Sequence, residues 1–132
     1  MITVVGLVHV EAGRLLVVRS RNKKAFYLPG GKIEAGESPA DALRREVREE
    51  LGISLEDPAV LKRYVAPAYG EGEGAIVDMT CFTAQLLGVP QPTSEIAELT
   101  YVTRDEYRSH VETAPAIHEV LSDLVASGQI RT

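Results

Sequence analysis

The sequence is poor in cysteine: its 132 residues include one, Cys81. A single thiol can neither close an internal disulfide nor build a cysteine zinc site alone, and this scarcity fits a reducing compartment. The three histidines, His9, His110 and His118, show no metal-ligand spacing. We therefore expect neither a disulfide framework nor a zinc site built on cysteine.

Long apolar runs are also missing. No stretch approaches the roughly 20 residues that a membrane-spanning helix needs. Residues 2–10 are apolar, but they carry neither a basic leading segment nor a small-residue cleavage site. They are therefore typical of a strand rather than of a signal peptide. We expect a cytoplasmic protein that has no membrane partner.

Basic residues are outnumbered, since 14 Lys and Arg stand against 19 Asp and Glu, for a net charge of −5. Proteins that wrap nucleic acid need a basic footprint, so we expect no nucleic acid polymer as partner. The hydrophobic and charged fractions, 45% and 25%, are ordinary for a globular protein. The length suits one domain over residues 1–132.

Apolar periodicity and turn residues divide the chain into strands and two main helices. This mixture predicts an α/β fold with a sheet between helices. Exposed strand edges, such as that of residues 2–10, could pair in a homodimer. The predicted elements are a hairpin of 2–10 with 14–19, strands at 25–28, 59–66, 75–87 and 98–103, and helices at 39–51, 104–109 and 114–127.

The helix at 39–51 has well-marked ends. Ser38 is a favourable N-cap, Pro39 suits the first helical position, and Gly52 suits the left-handed residue that ends a helix. At about 100° per residue, one stripe of the helix is apolar and should face the core. That stripe consists of Ala40, Leu43, Val47 and Leu51.

A second stripe of the same helix carries Glu46, Glu49 and Glu50. Carboxylates at this spacing are neighbours and repel one another. One interpretation is a solvated acidic face that is paired with nearby arginines. The other is a divalent-cation site, because hard cations such as Mg²⁺ take oxygen ligands. The helix alone does not decide between them.

The loop before the helix favours the second interpretation. Residues 29–37, Pro-Gly-Gly-Lys-Ile-Glu-Ala-Gly-Glu, contain three glycines, one lysine and two glutamates. Glycines let a backbone turn sharply and approach a ligand closely. A backbone carbonyl there can join a metal shell, and Lys32 can meet a phosphate.

Residues 31–53 resemble the signature of the Nudix hydrolase family. Every fixed position of that signature matches: Gly31, Glu37, Arg45-Glu46-Val47, Glu49-Glu50, Gly52 and Ile53. The order of predicted strands and helices around it is also similar to the family's α/β/α sandwich, in which a mixed sheet lies between helices. The resemblance extends this fold expectation over most of the chain.

The resemblance implies specific roles at the matching positions. Arg45 would orient a helix glutamate, and Lys32 with Gly31 would contact phosphate. Glu37 would brace the junction of loop and helix or reach the metal through water, and Glu34 would lie nearby. Mg²⁺, or Mn²⁺ as a substitute, would be held by Gly30 through its carbonyl and by Glu46, Glu49 and Glu50.

A general base is also implied, and its identity is left open. In the family it is often a glutamate, either within the signature or on a distant loop. Our first candidate is Glu95, which precedes a strand whose Tyr101 would lie near the base pocket. Tyr27 is a further candidate for lining that pocket. The alternative bases are Glu98, Glu71, Glu73 and a glutamate of the signature itself.

The implied reaction is hydrolysis of a nucleoside diphosphate linked to another group. The short chain resembles MutT-like members, which cleave nucleoside triphosphates to the monophosphate and pyrophosphate. The alternatives are hydrolysis of ADP-ribose, a nucleotide sugar or a dinucleoside polyphosphate. A binding module without catalysis would use the same site to sense a nucleotide.

Overall fold

The computed structural model describes residues 1–132. Seven strands and three helices follow one another along the chain. None of the helices is both long and apolar enough to cross a membrane. The elements are β1 (Ile2–Leu7), β2 (Val10–Glu11), β3 (Arg14–Ser20), β4 (Gly30–Lys32), α1 (Pro39–Leu51), β5 (Ser54–Pro67), β6 (Ile76–Leu87), β7 (Ile96–Val102), α2 (Arg104–Arg108) and α3 (Pro115–Ala126).

The strands form two sheets. The larger has the order β4-β1-β6-β5, in which β1 and β6 are parallel and the other neighbours are antiparallel. The smaller has the order β2-β3-β7 and is antiparallel. Helix α1 packs on one face of this assembly, and α2 with α3 packs on the other. The predicted α/β/α sandwich with a mixed sheet is therefore confirmed.

Two apolar clusters fill the spaces between these layers. The first joins Leu43, Val47 and Leu51 of α1 to Leu16 and Val18 of β3, among others. The second joins the next residues of β3, on its opposite face, to α2, α3 and the strands β5 and β6. The predicted core stripe of α1 holds for three residues, whereas Ala42 is fully buried and Ala40 only partly.

The predicted hairpin of residues 2–10 with 14–19 is correct only at its tip. Val10 faces Leu15 and Glu11 faces Arg14, across a turn in which Ala12 and Gly13 have positive φ angles. Residues 2–7 instead form β1 in the other sheet, between β4 and β6. A strand in the middle of a sheet and a strand of a hairpin can both be continuous apolar runs. The apolar pattern of residues 2–7 therefore did not show which strands they pair with. Since β1 has neighbours on both sides, it offers no free edge for a homodimer.

The predicted strand at 25–28 is wrong, because only Tyr27 makes a bridge there, to Val18. Strand β4 lies instead at Gly30–Lys32, within the glycine-containing segment predicted as a loop. The two glycines bring β4 close to β1, and Gly30 has a φ of 149°. A Cβ at Gly30 would lie 2.0 Å from the Val5 carbonyl oxygen. The glycines therefore continue the sheet here.

Strand β5 begins at Ser54, earlier than the predicted residue 59. Its register shifts between Glu56 and Ala59, at the Asp57-Pro58 pair, where Asp57 has a φ of 51°. The turn-like pair concealed the beginning of the strand. The remaining elements differ from their predicted bounds by one or two residues, and α1 has the predicted bounds.

Tyr107 links the helical layer to the chain that leads into the site. The ring is fully buried, its hydroxyl donates to the Phe26 carbonyl at 2.7 Å, and it accepts from the Ala114 N–H at 3.1 Å. Burying a polar backbone group without a partner is costly. One hydroxyl therefore provides the hydrogen-bond partner of a backbone carbonyl and a backbone N–H that are far apart in the sequence.

We expect Tyr107→Phe to lower the free energy of unfolding by about 1–3 kcal/mol, because two backbone groups lose their partner. Urea denaturation would measure this as a lower midpoint at an unchanged slope. Tyr101→Phe is the matched control, since its hydroxyl bonds the exposed Glu11. Equal midpoints for the two variants would contradict the assignment.

Candidate active site

Helix α1 is fixed at both ends by local contacts. The Ser38 hydroxyl accepts a hydrogen bond from the Asp41 N–H at 3.1 Å. Gly52 ends the helix in the left-handed conformation, and its N–H donates to the Arg48 carbonyl. These are the predicted caps. They define where the helix begins and ends, and burial of its apolar stripe determines which side turns its glutamates to β4.

The glycines of β4 bring the backbone against those glutamates. The N–H of Gly30 donates to the Glu50 carboxylate at 3.1 Å. A Cβ added to Gly31 would lie 2.7 Å from the Glu46 carboxyl carbon. Any side chain at Gly31 would thus displace Glu46. Glycine is therefore needed at residue 31 because of Glu46, and at residue 30 because of the Val5 backbone in β1.

Arg45 joins the loop to the helix. Its guanidinium makes two parallel hydrogen bonds to the Glu37 carboxylate, at 2.7 and 3.0 Å. It also donates to the Glu46 carboxylate at 2.8 Å and to the Lys32 carbonyl at 3.2 Å. The bidentate contact holds the pKa of Glu37 below its usual range, and both glutamates raise the pKa of Arg45. Charges of opposite sign thereby fix the direction of Glu46.

The Glu37 side chain also braces the loop, because its carboxylate accepts from the Glu34 N–H at 2.9 Å. The Glu34 carboxylate lies 3.6 Å from Arg45. Glu49 is more exposed than Glu46 and lies 3.5 Å from Arg45. These contacts form a network of four glutamates around one arginine: Glu34, Glu37, Glu46 and Glu49.

Glu50 lies on the inner side of this network. Burial raises its pKa well above the usual range, and the hydrogen bond and negative charge of Glu46 raise it further. The Gly30 N–H acts in the opposite direction but does not compensate. Two carboxyl groups that share a partly buried position cannot both ionise without a positive charge between them. Glu46 and Glu50 therefore form a carboxyl pair whose fully ionised form a bound cation would stabilise.

An open cavity of about 260 Å³ begins beside Glu50 and runs across the larger sheet. Gly30, Gly31 and Lys32 lie at the Glu50 end. Apolar side chains form most of the rest, and Tyr27, Tyr69 and Glu71 also line it. The cavity therefore joins a charged end to an apolar interior. A ligand with a flat apolar part would match the interior, and an anionic part could approach the Glu50 end where a cation lies between it and the carboxyl groups.

Comparison with known proteins agrees with this site. The family model described as NUDIX domain matches residues 1–124. The chain belongs to the Nudix family. It is 32% identical over 116 residues to a "MutT-like protein" of Streptomyces ambofaciens, a match that covers 88% of this chain and 72% of that one. Like other Nudix hydrolases, it acts on pyrophosphate bonds.

Shorter and structural matches agree with the Nudix assignment. An "RNA pyrophosphohydrolase" of Halorhodospira halophila is 45% identical over 51 residues, 39% of this chain and 28% of that one. The solution structure of the E. coli ORF135 protein superimposes with a TM-score of 0.74 at 27% identity, over 96% of this chain and 89% of that chain. The MutT NUDIX hydrolase of Burkholderia pseudomallei has a TM-score of 0.75 at 24% identity, over 92% and 95%, which shows the shared fold.

Nudix hydrolases use a divalent metal, and the oxygens around Glu50 fit one. Glu46 and Glu50 share a position where a cation would relieve their repulsion, and the Gly30 backbone lies beside them. Glu49 is the more exposed carboxylate and, like Glu46, lies close to Arg45. No group of three or more His, Cys, Asp or Glu side chains is arranged to hold a metal in this structure. The Glu46–Glu50 pair is the part of the predicted ligand set that the fold brings together.

The other predicted residues divide between the cavity and the surface. Tyr27 and Glu71 line the cavity, whereas Glu73 does not. Glu98 is paired with Arg19 at 2.8 Å on the surface. Tyr101 does not reach the cavity, because its hydroxyl donates to Glu11 on the β2–β3 hairpin at 2.7 Å.

Glu95 lies on a loop that is attached to the end of α1. The Thr93 N–H donates to the Glu50 carbonyl at 3.0 Å, and its hydroxyl donates to the Glu49 carbonyl at 2.6 Å. The Glu95 side chain itself is exposed and does not line the cavity. This loop nevertheless places Glu95 at the same end of the molecule as the glutamates of α1.

Several cavity residues were not among the predicted site residues. Lys23 lines the cavity wall. It belongs to the basic segment of residues 19–24, and such a composition is also typical of a solvated loop. Val77 and Met79 come from β6, and Ala116 and Ile117 come from α3. These apolar residues carry no local functional signal, because tertiary pairing of distant strands and helices creates the cavity.

The strained carboxyl pair leads to a prediction about stability. The pKa of Glu50 is higher in the folded protein than in the unfolded chain. At neutral pH the unfolded chain therefore ionises Glu50 more easily, which lowers the free energy of unfolding of the metal-free protein. Glu50→Gln keeps an oxygen acceptor for Gly30 but removes the charge. We expect its melting temperature in EDTA to rise by roughly 2 °C or more.

Millimolar Mg²⁺ should raise the melting temperature of the native protein, because a ligand of the folded state stabilises it. The same addition should have little effect on Glu50→Gln. Glu56→Gln, which changes an exposed carboxylate on β5, is the control and should keep the Mg²⁺ response. An equal response in Glu50→Gln would remove Glu50 from the metal site.

Proposed function

We propose that this Nudix hydrolase cleaves a nucleoside diphosphate linked to another group, with Mg²⁺ as its cation. A nucleoside triphosphate, cleaved to the monophosphate and pyrophosphate, is the leading substrate. The observation that carries the proposal is the Glu46–Glu50 pair at the charged end of a largely apolar cavity. The MutT-like relative supports the choice of substrate.

In this proposal Glu46, Glu49, Glu50 and the Gly30 carbonyl hold the cation, and Mn²⁺ could replace Mg²⁺. Such a cation would neutralise phosphate charge and lower the pKa of the attacking water. Arg45 orients Glu46 through the hydrogen bonds that it makes to both Glu46 and Glu37. Lys32, with the Gly31 backbone, binds phosphate at the same end of the cavity.

We propose Glu95 as the general base. Its loop is bonded to the backbone at the C-terminal end of α1, and the next residue, Ile96, lines the cavity. Among the alternatives, Glu98 is neutralised by Arg19, whereas Glu71 and Glu73 lie on the β5–β6 loop, which makes no hydrogen bond to α1. A carboxylate that is free of protein partners is the better proton acceptor.

Other substrates remain alternatives to be tested. They are ADP-ribose, nucleotide sugars and dinucleoside polyphosphates. Relatives named RNA pyrophosphohydrolase match a short part of the chain, of which the match covers 39%. The net charge of −5 favours a small nucleotide over a nucleic acid polymer. A nucleotide-binding module without catalysis is the alternative from another class.

We expect turnover of one nucleotide class in the presence of Mg²⁺ or Mn²⁺. The panel should contain nucleoside triphosphates, the alternative substrates above and RNA with a 5′-triphosphate, with products separated by chromatography. Glu50→Gln should reduce kcat by at least about 10²-fold, since it removes a proposed cation ligand. Glu56→Gln should retain full activity. Tight binding without hydrolysis would favour the binding module instead.

Replacing Glu95 tests the general base. We expect Glu95→Gln to lower kcat by about 10²–10⁴-fold and to flatten the acidic limb of the kcat profile against pH, because the titrating acceptor is gone. Glu98→Gln is the matched control, being a nearby carboxylate that Arg19 occupies. A native pH profile in Glu95→Gln would exclude Glu95 from this role.

The predicted cytoplasmic location, the single domain over residues 1–132 and the homodimer stay predictions. The homodimer now has a different candidate edge, since β5 has a neighbour on one side only. Sedimentation at several protein concentrations would determine the oligomeric state.

A further inference from the structure

The part of the cavity away from Glu50 has a composition of its own. Val77, Met79 and Ile117 make an apolar wall, and Tyr27 and Tyr69 add two aromatic rings. The whole cavity measures about 260 Å³, below the roughly 300–1,000 Å³ of sites that enclose drug-sized ligands. It can therefore enclose a nucleobase while the phosphates remain at its open, charged end.

Two carboxylates lie near the phenol of Tyr27. Glu71, on the β5–β6 loop, lines the cavity. Glu112, in the segment before α3, accepts a hydrogen bond from the Tyr69 hydroxyl, and Lys24 lies 4.0 Å from it. Burial, together with the charges of Glu71 and then Glu112, raises the pKa of Tyr27. Glu71 and Glu112 therefore lie close enough to Tyr27 to act on it electrostatically.

Glu112 has a side-chain hydrogen-bond partner, whereas Glu71 has none. Glu112 already has the Tyr69 hydroxyl as its donor, so the pair joins the β5–β6 loop to the segment before α3. Glu71 has no hydrogen bond or ion pair with another side chain and lies two residues from Tyr69. The Tyr69–Glu112 contact thus positions the loop, and Glu71 remains an unoccupied acceptor beside the cavity.

We propose that Glu71 selects nucleobases that present an exocyclic amino group, and that Tyr69 and Glu112 position it. The proposal rests on the hydrolysis of nucleoside triphosphates proposed above. The apolar wall and the aromatic rings would hold the flat base, whichever base it is. Selection then depends on the polar edge that meets Glu71.

An ionised carboxylate can accept but cannot donate a hydrogen bond. The 4-amino group of cytosine and the 6-amino group of adenine each supply an N–H donor. Uracil and hypoxanthine carry a carbonyl oxygen at the same positions, which would face Glu71 as a second acceptor. Glu71 is exposed in the free protein, but two acceptors that face each other have no proton between them, so a base that presents a carbonyl oxygen there is disfavoured.

Two nucleotide pairs test this directly, because the members of each differ at this edge. We expect kcat/KM for CTP to exceed that for UTP by about tenfold or more, and ATP to exceed ITP similarly. Calorimetric Kd values for the α,β-methylene analogues of CTP and UTP should differ in the same direction. Ratios near one for both pairs in the native protein would overturn the inference while leaving the proposed function intact.

Variants then assign the selection to residues. Glu71→Gln should bring the CTP-to-UTP ratio towards one, because an amide can donate to the uracil carbonyl. Tyr69→Phe should reduce the ratio partly, with a change in KM rather than in kcat, since it releases the loop. Glu73→Gln is the matched control: it removes the same charge from the same loop but does not line the cavity, and the ratio should stay native.

Two further outcomes would overturn the proposal. If Glu71→Gln lowered kcat equally for CTP and UTP, Glu71 would act in catalysis and not in selection. If Glu73→Gln changed the ratio as much as Glu71→Gln, the net charge of the loop would be responsible. Absence of turnover with every nucleoside triphosphate would instead contradict the proposed function, so the two failures can be told apart.

Discussion

The close contact between the β4 glycines and the glutamates of α1 is the constraint on which the site depends. The absence of a side chain at Gly31 leaves room for the Glu46 carboxylate, and the absence of one at Gly30 lets β4 pack against Val5 while its N–H donates to Glu50. Arg45 offsets the repulsion among these carboxylates, because its guanidinium donates hydrogen bonds to both Glu37 and Glu46. Glu50 is the one member of the group that no cationic side chain reaches. A cation bound beside Glu50 would supply the positive charge that the protein's own side chains do not.

The signature region could be predicted closely from the sequence because its determinants are local. Ser38, Pro39 and Gly52 define the ends of α1 through contacts within a few residues, and the helix has the predicted bounds. The strands were predicted less well because pairing is a long-range property. Residues 2–7 read as half of a hairpin, yet their partners lie at Gly30–Lys32 and Ile76–Leu87. Tyr101 shows the same limit, since its strand pairing directs its hydroxyl to Glu11.

The two ends of the cavity also differ in whether their residues are local or distant in the sequence. The charged end is built from one continuous segment, residues 30–50, so its chemistry can be read from a motif. The other end is assembled from the loop near Tyr27, the β5–β6 loop, β6 and the beginning of α3. No short pattern describes it, and each contributing residue is ordinary in its own segment. The reaction class was thus accessible from the sequence, whereas the proposed substrate selection rests on residues that only the tertiary structure brings together.

The irregularity in β5 has a consequence for how these molecules meet one another in concentrated solution. A regular edge strand of 14 residues would offer unpaired backbone groups with which a strand of another molecule could pair, as in amyloid. The Asp57-Pro58 pair interrupts it, because proline offers no N–H and the chain changes register twice, first around this pair and again between Val60 and Lys62. Two charged side chains, Lys62 and Arg63, follow directly. The kinks that made the strand hard to recognise therefore act as protection against aggregation.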